Sequence, residues 1–289
     1  GAVPANFPMM HCVWPEVLRS YAQFGNNCKL ISFYNYGPYY AATEGMWSES
    51  AGSHRASHLL NNRLSQADDL VGAGILRPSR VAMLYSRSTE YWNPAATFPD
   101  KRASFLGLSH EYFQPELVTE EQVAAGDLDH YDALYVLETH VSQAASERIL
   151  SWTKQGDLLW TCADSFLRDE YDAPKDFLAE HFGLKRAFAE NPANPSVRPS
   201  GGISSVMPVH KVKIAKPLRA LAWEEAQVLA TYEEEAPAWL EKDFHDGRVV
   251  YLGHRAGLDY SRKAIRLGGM RTIWPDYPRA FLTRTIHQR

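Results

Sequence analysis

Three short apolar runs, RVAMLY at 80–85, DALYVL at 132–137 and DLLWTC at 157–162, are set too far apart for hairpins and are separated by stretches with helical spacing. None of the three alternates apolar with polar residues, so each reads as a strand covered on both faces. Residues 102–113 and 142–154 read as the intervening helices, with Gly156 ending the second, and 173–182 reads as a further helix. Strand and helix in alternation argue for right-handed βαβ units on a parallel sheet. Residues 115–118 read as another strand, and 88–101, with Tyr91, Trp92, Pro94 and Pro99, as a loop.

The texture changes on both sides of this region. Residues 191–202 (NPANPSVRPSGG) form a turn-rich stretch, after which 209–214, 227–232, 237–244 and 248–253 read as strands. Asp246–Gly247 between the last two is a hairpin signal. Residues 262–285 are basic and carry no clear period. Upstream, 15–24 has the spacing of a helix, with Pro15 suited to its first turn and Gly25 to its end. A strand is expected over 28–34, then a turn at Asn35–Tyr36–Gly37–Pro38, an aromatic loop over 39–53 and one long helix over 55–74.

With 289 residues the chain is long enough for two domains, and 45% hydrophobic with 22% charged residues is ordinary for a globular protein. A net charge of −4 argues against a nucleic-acid partner. No run approaches the roughly 20 apolar residues of a membrane span, so no membrane partner is expected. Cys12, Cys28 and Cys162 make neither a disulfide framework nor a cysteine zinc site. His54 and His58 have the spacing of a helical metal pair but lack the intervening Glu of HExxH, and Glu233–Glu234–Glu235 reads as a solvated turn. No phosphate-cradling glycine loop is present, and no metal or organic cofactor is expected.

Two stretches carry a resemblance. Phe7–Pro8–Met9–Met10, the helix to Gly25, the strand from Leu30 to Tyr34 and the loop GPYYAATEGMW at 37–47 resemble the last strands of the (β/α)8 barrel in the β-galactosidases of glycoside hydrolase family 42. Residues 78–253, through RVAMLY, GDLDHYD at 126–132, KQGD at 154–157 and GRVVYLG at 247–253, resemble that family's trimerisation domain. The resemblance implies a flavodoxin-like α/β domain of the class I glutamine amidotransferase type, preceded by the C-terminal part of a (β/α)8 barrel. Residues 1–76 would be the barrel end, 77–257 the α/β domain and 258–289 a connection to a further domain.

In the family a glutamate after the last barrel strand binds the sugar, and Glu44 is the matching position. Trp47, Tyr36 and Tyr39 beside it offer ring faces to a saccharide's C–H surface. Asp157 stands where the family usually has a second glycine, and Trp47 where it commonly has histidine; a ring face and one donor in place of imidazole widen the implied substrate to β-galactosides or related glycosides. The implied reaction is hydrolysis with retention, by two carboxyl groups about 5–5.5 Å apart. Both lie upstream in the family, so the resemblance implies that this chain lacks them and is inactive alone. Glu44 and Glu49, in one loop, are a poor substitute for residues drawn from different strand ends. The implied partners are a carbohydrate substrate and further copies in a homo-oligomer, a trimer.

Two other readings stay open: a non-catalytic carbohydrate-binding or assembly module, and a cysteine-dependent amidotransferase-like hydrolase using Cys162. The last requires an exposed Cys162 within hydrogen-bond reach of a histidine, with His181, His210, His245 and His254 the candidates. It also requires glycines flanking the nucleophile at a sharp strand-to-helix turn, where this chain has Trp160, Thr161, Ala163 and Asp164.

Overall fold

The computed structural model describes residues 5–6, 13–26, 28–31, 51–75, 77–188, 196–200, 210–211, 218–232, 236–262, 264–266, 272–274 and 276–287. They fall into two compact units, Gly1–Pro78 with Arg266–Arg271, and Ser79–Ile265 with Thr272–Arg289.

The first unit contains β1 (Ala5–Asn6), α1 (Val13–Gly25), β2 (Leu30–Ile31), α2 (Ala51–Ser65) and α3 (Asp68–Ala73). β1 and β2 run parallel, with Ala5 opposite Leu30. α1 packs on α2, burying Val17, Ser20 and Leu60. The single long helix expected over 55–74 is instead α2 and α3, broken at Gln66–Ala67. Its apolar stripe is not continuous, because Leu60 is buried while Leu70 is 77% exposed. Asp68 and Asp69 then suit the first turn of a new helix, where exposed N–H groups favour negative charge.

The second unit is built on a nine-stranded sheet of order β4-β3-β5-β6-β13-β12-β11-β8-β9. Its elements in chain order are β3 (Val81–Tyr85), α4 (Arg87–Trp92), α5 (Pro94–Ser109), β4 (Glu116–Thr119), α6 (Glu120–Ala125), β5 (Ala133–Val136), α7 (Gln143–Lys154), β6 (Leu158–Cys162), α8 (Phe177–Phe182), β7 (Lys185–Phe188), β8 (Ser196–Pro199), β9 (His210–Lys211), β10 (Leu218–Ala222), β11 (Gln227–Tyr232), β12 (Pro237–Phe244), β13 (Gly247–Leu252), α9 (Ala256–Arg262) and α10 (Asp276–His287). The strands β4, β3, β5, β6 and β13 are parallel. From β13 the sheet continues antiparallel through β12, β11, β8 and β9. β7 and β10 pair separately.

Alternate residues of the buried strands feed two cores. Met83, Tyr135, Trp160 and Leu252 pack with Phe281 and Leu282 of α10. Leu84, Leu134, Leu159 and Tyr251 pack on the other face with Ile149, Trp152 and Phe177. Two aromatic polar atoms of the first core are satisfied by α10: Trp160 Nε1 donates to the Phe281 carbonyl at 3.2 Å, and the Tyr135 hydroxyl donates to the Leu282 carbonyl. Helix α10 thus forms over a stretch with no legible period, and its hydrogen bonds tie it to the middle of the sheet.

The local chemistry explains most element ends. Ser142 caps α7, and Thr119 with Gln122 makes a reciprocal capping box that starts α6, a helix the sequence reading passed over. Asp176 accepts from Ala179 N and sets a late start for α8, which is shorter than the expected 173–182. The loop expected over 88–101 is helical: Ser86 caps α4, and Pro94 takes the first turn of α5. Pro99 lies on the solvent-exposed side of α5 beside exposed Ala95, so the carbonyl deprived of its partner can turn to water.

Gly257 shows how closely α9 approaches α5. A Cβ there would sit 2.3 Å from Ser104 Oγ, 2.4 Å from the Asp100 carbonyl oxygen and 2.5 Å from Ser104 N. Gly257→Ala is expected to destabilise the protein by roughly 2–3 kcal/mol, the upper part of the overpacking range. Urea melts of the two proteins check this.

Candidate functional site

Ligands of parallel α/β sheets bind outside the carboxyl ends of the strands. Here that edge collects Ser86 after β3, Glu138 to His140 after β5, Cys162 to Ser165 at the end of β6, and His254 and Arg255 after β13. Helix α5 lies over it and presents a polar face: Thr97, Asp100, Lys101 and Ser104 are all at most 5% exposed.

The charges there are matched within the chain. Lys101 Nζ lies 2.8 Å from Glu138 Oε1 and 3.0 Å from Glu90 Oε1, and 4.6 Å above the Tyr85 ring. Ser86 N also donates to Glu138 Oε1, at 3.2 Å. Burial pulls the Lys101 ammonium down, but Glu138 and Glu90 outweigh it and leave its pKa raised. Glu138, fully enclosed, has its carboxyl raised by burial against the pull of Lys101. At the neighbouring α5 residue, Arg255 Nη1 lies 3.8 Å from Asp100 Oδ2, and its Nη2 meets Asp164 Oδ1 at 2.5 Å. Asp100 Oδ1 accepts from Leu258 N at 2.8 Å, holding the start of α9.

Burial pushes the Asp100 carboxyl up to about 6, with Arg255 and the Leu258 N–H opposing. The folded-state value lies above the unfolded one, so the folded protein takes up the proton first. Relative to an Asp100→Asn variant, the parent should therefore gain stability as pH falls from about 6 to about 4, by roughly 2–3 kcal/mol. Denaturant melts of both proteins at pH 7 and pH 4 check the sign, and equal differences at the two pH values would contradict it.

Cys162 is fully buried, and burial followed by the charge of Asp100 raises its thiol well above the ordinary range. Its Sγ partners are Asp100 Oδ2 at 4.0 Å and Ser165 Oγ at 3.9 Å, with no histidine among the described residues. This overturns the cysteine-hydrolase reading, because the nucleophile must be an accessible thiolate beside a base. The sharp turn itself is present. Ala163 follows β6 with φ +33°, and its carbonyl accepts from Arg186 Nη1 at 3.0 Å and from the Tyr251 hydroxyl at 3.2 Å. The strained position of the turn thus carries a methyl group, which cannot attack a substrate. Iodoacetamide labelling mapped by peptide is expected to leave Cys162 unmodified in the native protein and to modify it in denaturant.

A second constellation was not foreseen. Thr139 Oγ1 is 2.8 Å from His140 Nδ1, and His140 Nε2 is 2.8 Å from Asp172 Oδ1. The order resembles a hydroxyl–imidazole–carboxylate relay, but Thr139 and His140 are only 5% and 3% exposed, so the hydroxyl cannot meet a substrate. The relay ties the 168–174 loop to the end of β5. It could have been suspected only from the His and Asp themselves, since they lie 32 positions apart.

Glu44, Trp47, Tyr36 and Tyr39, the sugar-contacting residues expected from the sequence, lie outside the described residues, as do Glu49, Glu233, Glu234 and Glu235. His54 and His58 are exposed on α2, and among the described residues no cluster of His, Cys, Asp or Glu could hold a metal ion. No described helix is long and apolar enough to cross a membrane. In the first unit a pocket of about 390 Å³ is lined mainly by Tyr21, Phe24, Leu64, Leu70 and Ile75, with no converging acid–base pair.

No protein-family profile and no curated protein sequence matches the chain. Solved structures do. A β-galactosidase from Bacillus circulans sp. alkalophilus superposes with a TM-score of 0.68 at 16% identity, over 87% of this chain and 42% of that one. A family 42 β-galactosidase from G. stearothermophilus gives a TM-score of 0.66 at 17% identity, over 86% and 39%. An exo-β-1,4-mannosidase from Opitutaceae bacterium strain TAV5 gives 0.55 at 13% identity, over 82% and 43%. The chain therefore has the fold expected from its resemblance, a flavodoxin-like α/β domain preceded by the end of a barrel. It spans about 42% of the length of the first of these proteins.

Proposed function

We propose that this chain is part of a glycoside hydrolase acting on β-galactosides or related glycosides, and that its α/β unit joins subunits and performs no chemistry. The observation that carries the reading is the fold correspondence with a β-galactosidase over 87% of the chain. The carboxyl edge described above supports the second half: its carboxylates are matched by Lys101 and Arg255, and its cysteine is held as a buried thiol. In this reading residues 1–76 complete a barrel whose catalytic carboxylates lie elsewhere, and residues 77–257 hold a trimer together. Glu44 accepts hydrogen bonds from sugar hydroxyls, and Trp47, Tyr36 and Tyr39 line the same subsite.

Two assays test it on the protein purified from its source. A panel of nitrophenyl glycosides should show hydrolysis of the β-galactoside or a near relative, and sedimentation should show a trimer. Glu44→Gln should lower kcat/KM about 10- to 100-fold, the loss of a charged hydrogen bond to the substrate. No hydrolysis across the panel would withdraw the catalytic assignment. The second reading, a non-catalytic carbohydrate-binding or assembly module, would then stand, and the absence of an accessible nucleophile at Cys162 already suits it.

A further inference from the structure

We draw no further inference here: the strongest candidate, the exposed apolar face of α5 at Pro94, Ala95, Phe98 and Pro99, is an unpartnered surface patch, and nothing in the structure shows what covers it.

Discussion

Lys101→Met is expected to destabilise the protein by about 3–5 kcal/mol, the cost of leaving a buried charge without its partner. Glu138 is fully buried and Glu90 is three-quarters buried in its side chain, so neither can recover the lost ammonium from bulk water. The double variant Lys101→Met with Glu138→Gln should recover much of that loss. The glutamine carbonyl can still accept from Ser86 N, and no unpaired charge remains at that position. Urea melts of the parent, both single variants and the double variant give the coupling energy directly. A single Lys101→Met variant as stable as the parent would show that the ion pair contributes nothing to holding α5 on the sheet.

Gly247→Ala is expected to cost about 4 kcal/mol or to prevent folding, beyond the usual overpacking penalty. An added Cβ would lie 1.9 Å from the Thr153 carbonyl oxygen and 2.6 Å from that of Asp157. Both are main-chain atoms at the end of α7 and the entry to β6, and no side-chain rotation can relieve the clash. The measurement is the soluble yield and the thermal midpoint of the variant beside Gly183→Ala. That control has no atom within 4 Å of its added Cβ and differs only in the strain of φ +76°. The larger loss should be at Gly247.

The same glycine shows where sequence reading succeeds for an incomplete reason. Asp246–Gly247 correctly marks the hairpin, but the turn residues are His245, with φ +55°, and Asp246, while Gly247 already pairs with Phe244. Its small size is required by the neighbouring helix end, which a local pattern cannot reveal. The buried strands were legible because both faces are apolar. The first half of helix α5, 94–101, was not, since its inward residues are Thr97, Asp100 and Lys101 and its two prolines suggest a loop; the second half falls within the helix expected over 102–113. Hydrophobic periodicity detects only helices that bury apolar residues. Cys162 was legible as a buried strand residue because its neighbours Trp160 and Leu159 are apolar. The partners that neutralise this edge were not, since Arg255 and Asp164 lie 91 positions apart. The sugar subsite rested on motif resemblance alone, and its residues fall outside those described.

The hydrogen bonds from Trp160 and Tyr135 to α10 span 121 and 147 positions. A ribosome adding about 5–20 residues each second would place Trp160 in the emerging chain on the order of 10 s before Phe281. Through that interval one face of the central strands has no cover from α10, and Trp160, Tyr135 and Trp239 form a sticky surface on a nascent chain. Expression of this protein should therefore depend on chaperone capacity and on translation speed across 160–281 more than its final stability suggests.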